Sequence, residues 1–141
     1  MTTSAEARTR ETTGVARIDL PPTPPAVAKA RAFVRACCSV DGLPSAVGET
    51  VVLLTSEAVT QAVATGRERV SVAFSADADG GVLVEVTEPG VHRPRTRALT
   101  SAGTAVLDAL ALSWGVRRSA TATTLWFRVT DPLPSPRAST A

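Results

Sequence analysis

The most regular pattern in the chain runs from Ser45 to Gly66. There Val47, Val51, Leu54, Ala58 and Ala62 recur at helical spacing, and Val52, Val59 and Val63 widen the apolar face. One long helix lying in the core is predicted. Glu57 and Gln61, four residues apart and so one above the other, stand on the border of that face rather than opposite it. An unpaired polar group in a core costs about 1–3 kcal/mol and an unpaired charge costs more. The pair therefore marks either a site or a border carboxylate that reaches solvent or a neighbouring arginine.

Upstream, Ala16, Ile18 and Leu20 alternate with Arg17 and Asp19, which predicts a short half-buried strand stopped by Pro21 and Pro22. Thr23 is placed to cap a helix opening at Pro24 and Pro25, with Ala26, Ala30, Phe33 and Cys37 as its core-facing stripe. Asp41 to Pro44 form a loop, and Ser45 is the expected N-cap of the long helix. Beyond Gly66 the period changes to two. Val70, Val72 and Phe74, then Val82, Val84 and Val86, face one way across a turn at residues 77–81, giving an antiparallel hairpin. Residues 88–100, EPGVHRPRTRALT, have no sustained periodicity and read as a long, lid-like loop, a length often tied to binding. A short helix over about 103–111 follows, then a strand with Trp114, Val116 and Arg118. In the last strand Thr124, Trp126 and Arg128 alternate with Leu125, Phe127 and Val129. This order predicts an α/β (α+β) two-layer sandwich, a mixed β-sheet covered on one face by helices.

The 141 residues suffice for one domain, expected over 15–130. The Thr-, Ala- and Arg-rich leader 1–14 and the Pro-rich tail 131–141 are expected to be disordered. No membrane span is expected, because the long helix carries Glu49, Thr50, Ser56, Glu57 and Gln61, and a cytoplasmic location follows. With 15 basic residues against 13 acidic ones, charge gives no case for nucleic acid, and the chain lacks Tyr and so much of an aromatic stacking platform. Cys37 and Cys38 are adjacent, too close for an ordinary disulfide with each other, and read as buried thiols. His92 has no second ligand near it in sequence.

Four blocks carry a resemblance. TSEAVTQAVATG (55–66) is similar to "SELVTNAVRHG", VEVTE (84–88) to "VEVTD", VLDALALSWGV (106–116) to "LVDALADRWGV", and TLWF (124–127) to "TVWF". These are blocks of the actinobacterial anti-sigma regulatory serine/threonine kinases, within the wider GHKL group of histidine-kinase-like ATPases. The resemblance covers roughly residues 18–129 and implies a Bergerat-type ATP-binding fold, with ATP and magnesium as cofactors.

Residue by residue, the resemblance transfers unevenly. It implies that Glu57 is the general base and that Gln61 stands where the family has the Asn holding magnesium on the ATP phosphates. Glu88 stands where the family has the Asp that accepts a hydrogen bond from the adenine amino group. Gly90 joins the nucleotide-contacting set, and Thr124 matches the Thr near the adenine. The family's "GRGL" block is here Ser101, Ala102, Gly103 and Thr104, so one of its two glycines, Gly103, remains. Gln and Glu keep the chemistry of Asn and Asp on a longer arm, and magnesium demands near-ideal geometry. At about 1 kcal/mol each, four such departures weaken nucleotide binding roughly 10²- to 10³-fold.

Two functions stay open on these residues. One is an ATP-dependent kinase that binds a sigma factor and phosphorylates a serine of an anti-anti-sigma protein. The other is a pseudokinase that keeps the protein-binding surfaces, with the sigma factor, its antagonist or a second copy as partner, and transfers no phosphoryl group. Arg93, Arg95 and Arg97 in the lid-like loop suit phosphate, an acidic partner surface or plain solvation equally.

Overall fold

The computed structural model describes residues 14–65, 68–90 and 101–131. Its elements follow the order β1 (Val15–Leu20), α1 (Pro25–Val40), α2 (Ser45–Thr65), β2 (Val70–Ala76), β3 (Val82–Pro89), α3 (Ser101–Leu110), β4 (Ser113–Arg118) and β5 (Ala122–Val129). The strands form one five-stranded sheet in the order β1-β2-β3-β5-β4. Every neighbouring pair is antiparallel, so the sheet is not mixed as the sequence suggested. Chain traffic explains the difference. Two helices separate β1 from β2, and an even number of traverses returns the chain in the opposite direction. The single helix α3 does set β4 parallel to β3 in direction, but β5 lies between them.

Side chains at Leu20, Val70, Val72, Phe74, Val82, Val84, Val86, Phe127 and Val129 are buried and form the sheet's half of the core. The helical half centres on α2. Val47, Val51, Leu54, Ala58, Val59 and Ala62 are all buried, since α2 packs against α1 on one side, α3 on another and the sheet below. A helix surrounded on so many sides must be apolar around most of its circumference, which accounts for the wide valine face.

Two details of α1 depart from the pattern. Its first turn is closed by backbone carbonyls, Ala26 N donating to Thr23 O at 2.8 Å, with no side-chain cap. Its most buried stripe is Ala26, Ala30, Val34 and Cys38, with Phe33 and Cys37 only partly covered. Likewise Pro44, whose carbonyl accepts from Gly48 N at 3.0 Å, holds the cap position of α2, and Ser45 is the first helical residue. Burial and the Asp41 carboxylate push the Cys38 thiol up to about 11, so it is a packing group and not a nucleophile at neutral pH. Cys37 and Cys38 are both free thiols.

Thr55, on the same helix as the candidate site, is fully buried and its Oγ1 has no hydrogen-bond partner. Two residues from Glu57 is about 200° around a helix, so Thr55 points away from the acid–amide pair. Replacing it with the near-isosteric Val removes an unsatisfied hydroxyl, and Thr55→Val is expected to raise stability by about 1 kcal/mol. Urea unfolding of the two proteins checks this; a lower midpoint for the variant would show that the hydroxyl is bonded after all.

Candidate functional site

The candidate residues sit on three neighbouring elements. Glu57 and Gln61 are half-buried on α2, one turn apart, and Gln61 Nε2 donates to Glu57 Oε2 at 3.4 Å. This is a long contact but a directed one, and it turns the Gln61 carbonyl oxygen away from the carboxylate. Glu88 occupies β3 in the row Val82, Val84, Val86, Glu88, the row whose first three members are buried beneath the helices. Strand parity thus carries an acidic group to the end of the core, on the helix-covered side. Gly90 follows with φ 97°, and its N–H donates to Thr121 O at 2.6 Å. Only glycine takes that backbone conformation cheaply, so the chain leaves β3 through a turn that a side chain would strain. Gly103 lies buried in the first turn of α3, which packs against α2.

Thr124 is not in this group. In the β3–β5 register Thr87 faces Thr124 while Glu88 faces Thr123. Directly opposed residues share a face, so Thr123 lies on the helix-covered side across from Glu88. Thr124 lies on the far face, where its hydroxyl and that of Thr87 are 2.9 Å apart. Its burial there comes from the neighbouring strands, not from the core. The alternation of Thr124 with Trp126 and Arg128 already carried this signal. Leu125, Phe127 and Val129 are the core row, and Thr123 continues it. Position in a motif pointed to Thr124; parity points to Thr123.

The far face is a set of paired polar groups. Arg117 donates to Glu85 at 2.7 Å, Arg128 to Asp77 at 3.0 Å, and Ser71 Oγ to Asp19 at 2.6 Å. The Trp126 ring covers Gly115 so closely that a Cβ there would meet it at 2.9 Å.

For ATP and magnesium, the donor set is of the right kind. Glu57 supplies a carboxylate, Gln61 an amide oxygen, Glu88 a second carboxylate across from a threonine hydroxyl, and Gly90 and Gly103 leave backbone uncovered. Among the described residues no group of three or more His, Cys, Asp or Glu could hold a metal ion. A magnesium ion here would therefore take Gln61 as its protein contact and depend on phosphate and water oxygens for the rest. His92, Arg93, Arg95 and Arg97, with the rest of 91–100, lie outside the described residues, as do most of the leader and tail. Among the described residues no helix is long and apolar enough to cross a membrane.

Comparison with known proteins bears on fold and family. No curated protein matches the sequence. The chain resembles the structure of the RsbU and RsbW domains of Rv1364c from Mycobacterium tuberculosis, with a TM-score of 0.68 and 24% identity. That match covers 85% of this chain and 34% of the other, so this chain spans about a third of the mycobacterial one. It also resembles a chain of the SiaB–SiaC complex from Pseudomonas aeruginosa, with a TM-score of 0.59 and 10% identity over 89% of this chain and 96% of that one. At such identities the likeness concerns the fold. The sequence itself matches the histidine kinase-like ATPase domain over residues 20–129, which takes in every element from α1 to β5, and on that match the chain belongs to the histidine kinase-like ATPase domain family.

Proposed function

We propose that this protein is a regulator of the anti-sigma kinase type, controlling transcription by binding a sigma factor or its antagonist, with a nucleotide site of weakened affinity. The observation that carries the reading is the Glu57–Gln61 contact on α2. The acid and the amide that the family uses on either side of the phosphates are both present, but the longer amide reaches back to the acid. Family membership, the four sequence blocks and the likeness to a protein solved in a SiaB–SiaC complex support a role exercised through protein contacts.

ATP, when bound, supplies the phosphoryl group and magnesium the charge that neutralises it. The chain's own residues do the rest. Glu57 accepts a proton from an attacking hydroxyl at its carboxylate. Gln61 turns its carbonyl oxygen to the metal while its nitrogen is held by Glu57. Glu88 accepts from the adenine amino group, with Thr123 beside it, and Gly103 lets backbone approach an anion at the start of α3. The pseudokinase reading keeps these positions and omits the transfer.

The test is the thermal midpoint with and without millimolar magnesium-ATP. A ligand that binds only the native state must raise it. The wild type is expected to gain roughly 1 kcal/mol, about 4 °C for a domain of this size. The gain should vanish in Glu88→Ala, shrink in Thr123→Val and persist in Thr124→Val. No gain in the wild type would remove the nucleotide from the proposal and leave a protein-binding module.

A further inference from the structure

A groove of about 600 Å³ lies between α1 and α2, near the loop that joins them and outside the candidate nucleotide residues. Its floor is apolar, built from Gly48, Val52 and Leu53, with Leu43 closing one end. Leu53 is 48% exposed, an unusual place for a leucine on an otherwise buried helix. A Cβ on Gly48 would stand 3.7 Å from Cys38 Cβ, so the absent side chain is what keeps the helices close and the floor open. On the α1 rim stand Arg31 and Arg35, both exposed and one helical turn apart. Among the described residues the ion pairs are Arg117–Glu85 and Arg128–Asp77, and neither Arg31 nor Arg35 takes part. Glu49 stands on the opposite, α2 wall.

We propose that this groove docks an amphipathic helix of a protein partner, with an apolar stripe on Val52 and Leu53 and two acidic residues four apart on Arg31 and Arg35. Three features of the page choose this occupant. The α2 wall from Ser45 to Ser56 is about 16 Å long at 1.5 Å per residue, room for roughly three turns of helix. Arginines one turn apart present guanidinium groups at the spacing of carboxylates one turn apart on a facing helix, and such charge-assisted pairs are the strong ones. Glu49 on the far wall selects a basic or hydrogen-donating residue on the other flank and disfavours a polyanion such as nucleic acid. The arrangement is a helix-in-groove site with its polarity set by charge. The inference rests on the protein-binding role proposed above and identifies the surface that serves it.

The experiment is selection from a displayed library of amphipathic helical peptides about three turns long, followed by fluorescence anisotropy of the enriched peptides. Enriched sequences should carry Asp or Glu pairs four apart. Their affinity should fall at least about tenfold on the R31E/R35E double variant, and Lys at the two acidic positions should restore it. Both arginines are exposed, so the variant keeps its fold, which its unchanged thermal midpoint verifies. Enriched peptides without an acidic pair, or equal binding by the double variant, would overturn the proposal. Because the readout involves no nucleotide, failure of the groove and failure of the magnesium-ATP shift are separate results.

Discussion

Phe127→Ala is expected to cost about 3–5 kcal/mol and to leave the domain barely folded. Phe127 is fully buried on β5, opposite Val84 on one side and Trp114 on the other. It therefore joins the middle strand of the sheet to its edge strand and packs into the core beneath the helices. Truncation removes the transfer free energy of the ring and opens a cavity that β3, locked in register with both β2 and β5, cannot close. Urea unfolding monitored by circular dichroism gives the difference directly. A loss below about 1.5 kcal/mol would mean that the core repacks freely around position 127. Since Phe127 is one row from Thr123, the same variant should also lose any response to nucleotide in proportion to its unfolded fraction.

The second large effect is a gain. Gln61→Asn is expected to tighten magnesium-ATP binding about tenfold, read as about 1.4 kcal/mol of extra stabilisation at a fixed excess of ligand. The Gln61 amide already reaches Glu57 only at 3.4 Å. An amide one methylene shorter cannot make that contact, so Asn releases the Glu57 carboxylate and draws the amide oxygen back toward the helix. Magnesium tolerates little deviation from octahedral geometry, so a methylene in its side-chain ligand is felt fully. The cost in helix stability is a few tenths of a kcal/mol at most, because the pair is a single i,i+4 contact. A thermal shift no larger in Gln61→Asn than in the wild type would show that Gln61 is not what limits the site.

Much of this architecture was legible in the chain. The period-two rows at residues 70–74, 82–86 and 125–129 are buried where the alternation puts them, and the valine-rich helix lies in the core as its all-round apolarity requires. These features are local: a strand's parity and a helix's circumference are fixed by which side chains must leave water. Glu57 and Gln61 were legible for the same reason, since four residues on a helix always bring two side chains together. The far face, whose polar pairs join residues 51 and 52 positions apart in sequence, was not.

Thr124 marks the boundary between the two kinds of knowledge. Its place in a sequence block singled it out, yet the same strand's alternation assigned it to the face opposite Phe127. Only the pairing of β5 with β3 shows which threonine lies across from Glu88. The strand directions belong to the same class. Each helix and strand could be read alone, but whether the sheet is mixed depends on β5 inserting between β3 and β4. The α1–α2 groove is also a tertiary fact, because Arg31, Arg35 and Leu53 look like ordinary surface residues until two helices set them along one cleft. By itself the sequence determined the elements, their buried faces and the acid–amide pair, all consequences of hydrophobic period and covalent spacing. The tertiary structure decided strand order, which face each polar residue occupies and what lies across from it, because those follow from pairings between segments far apart in the chain.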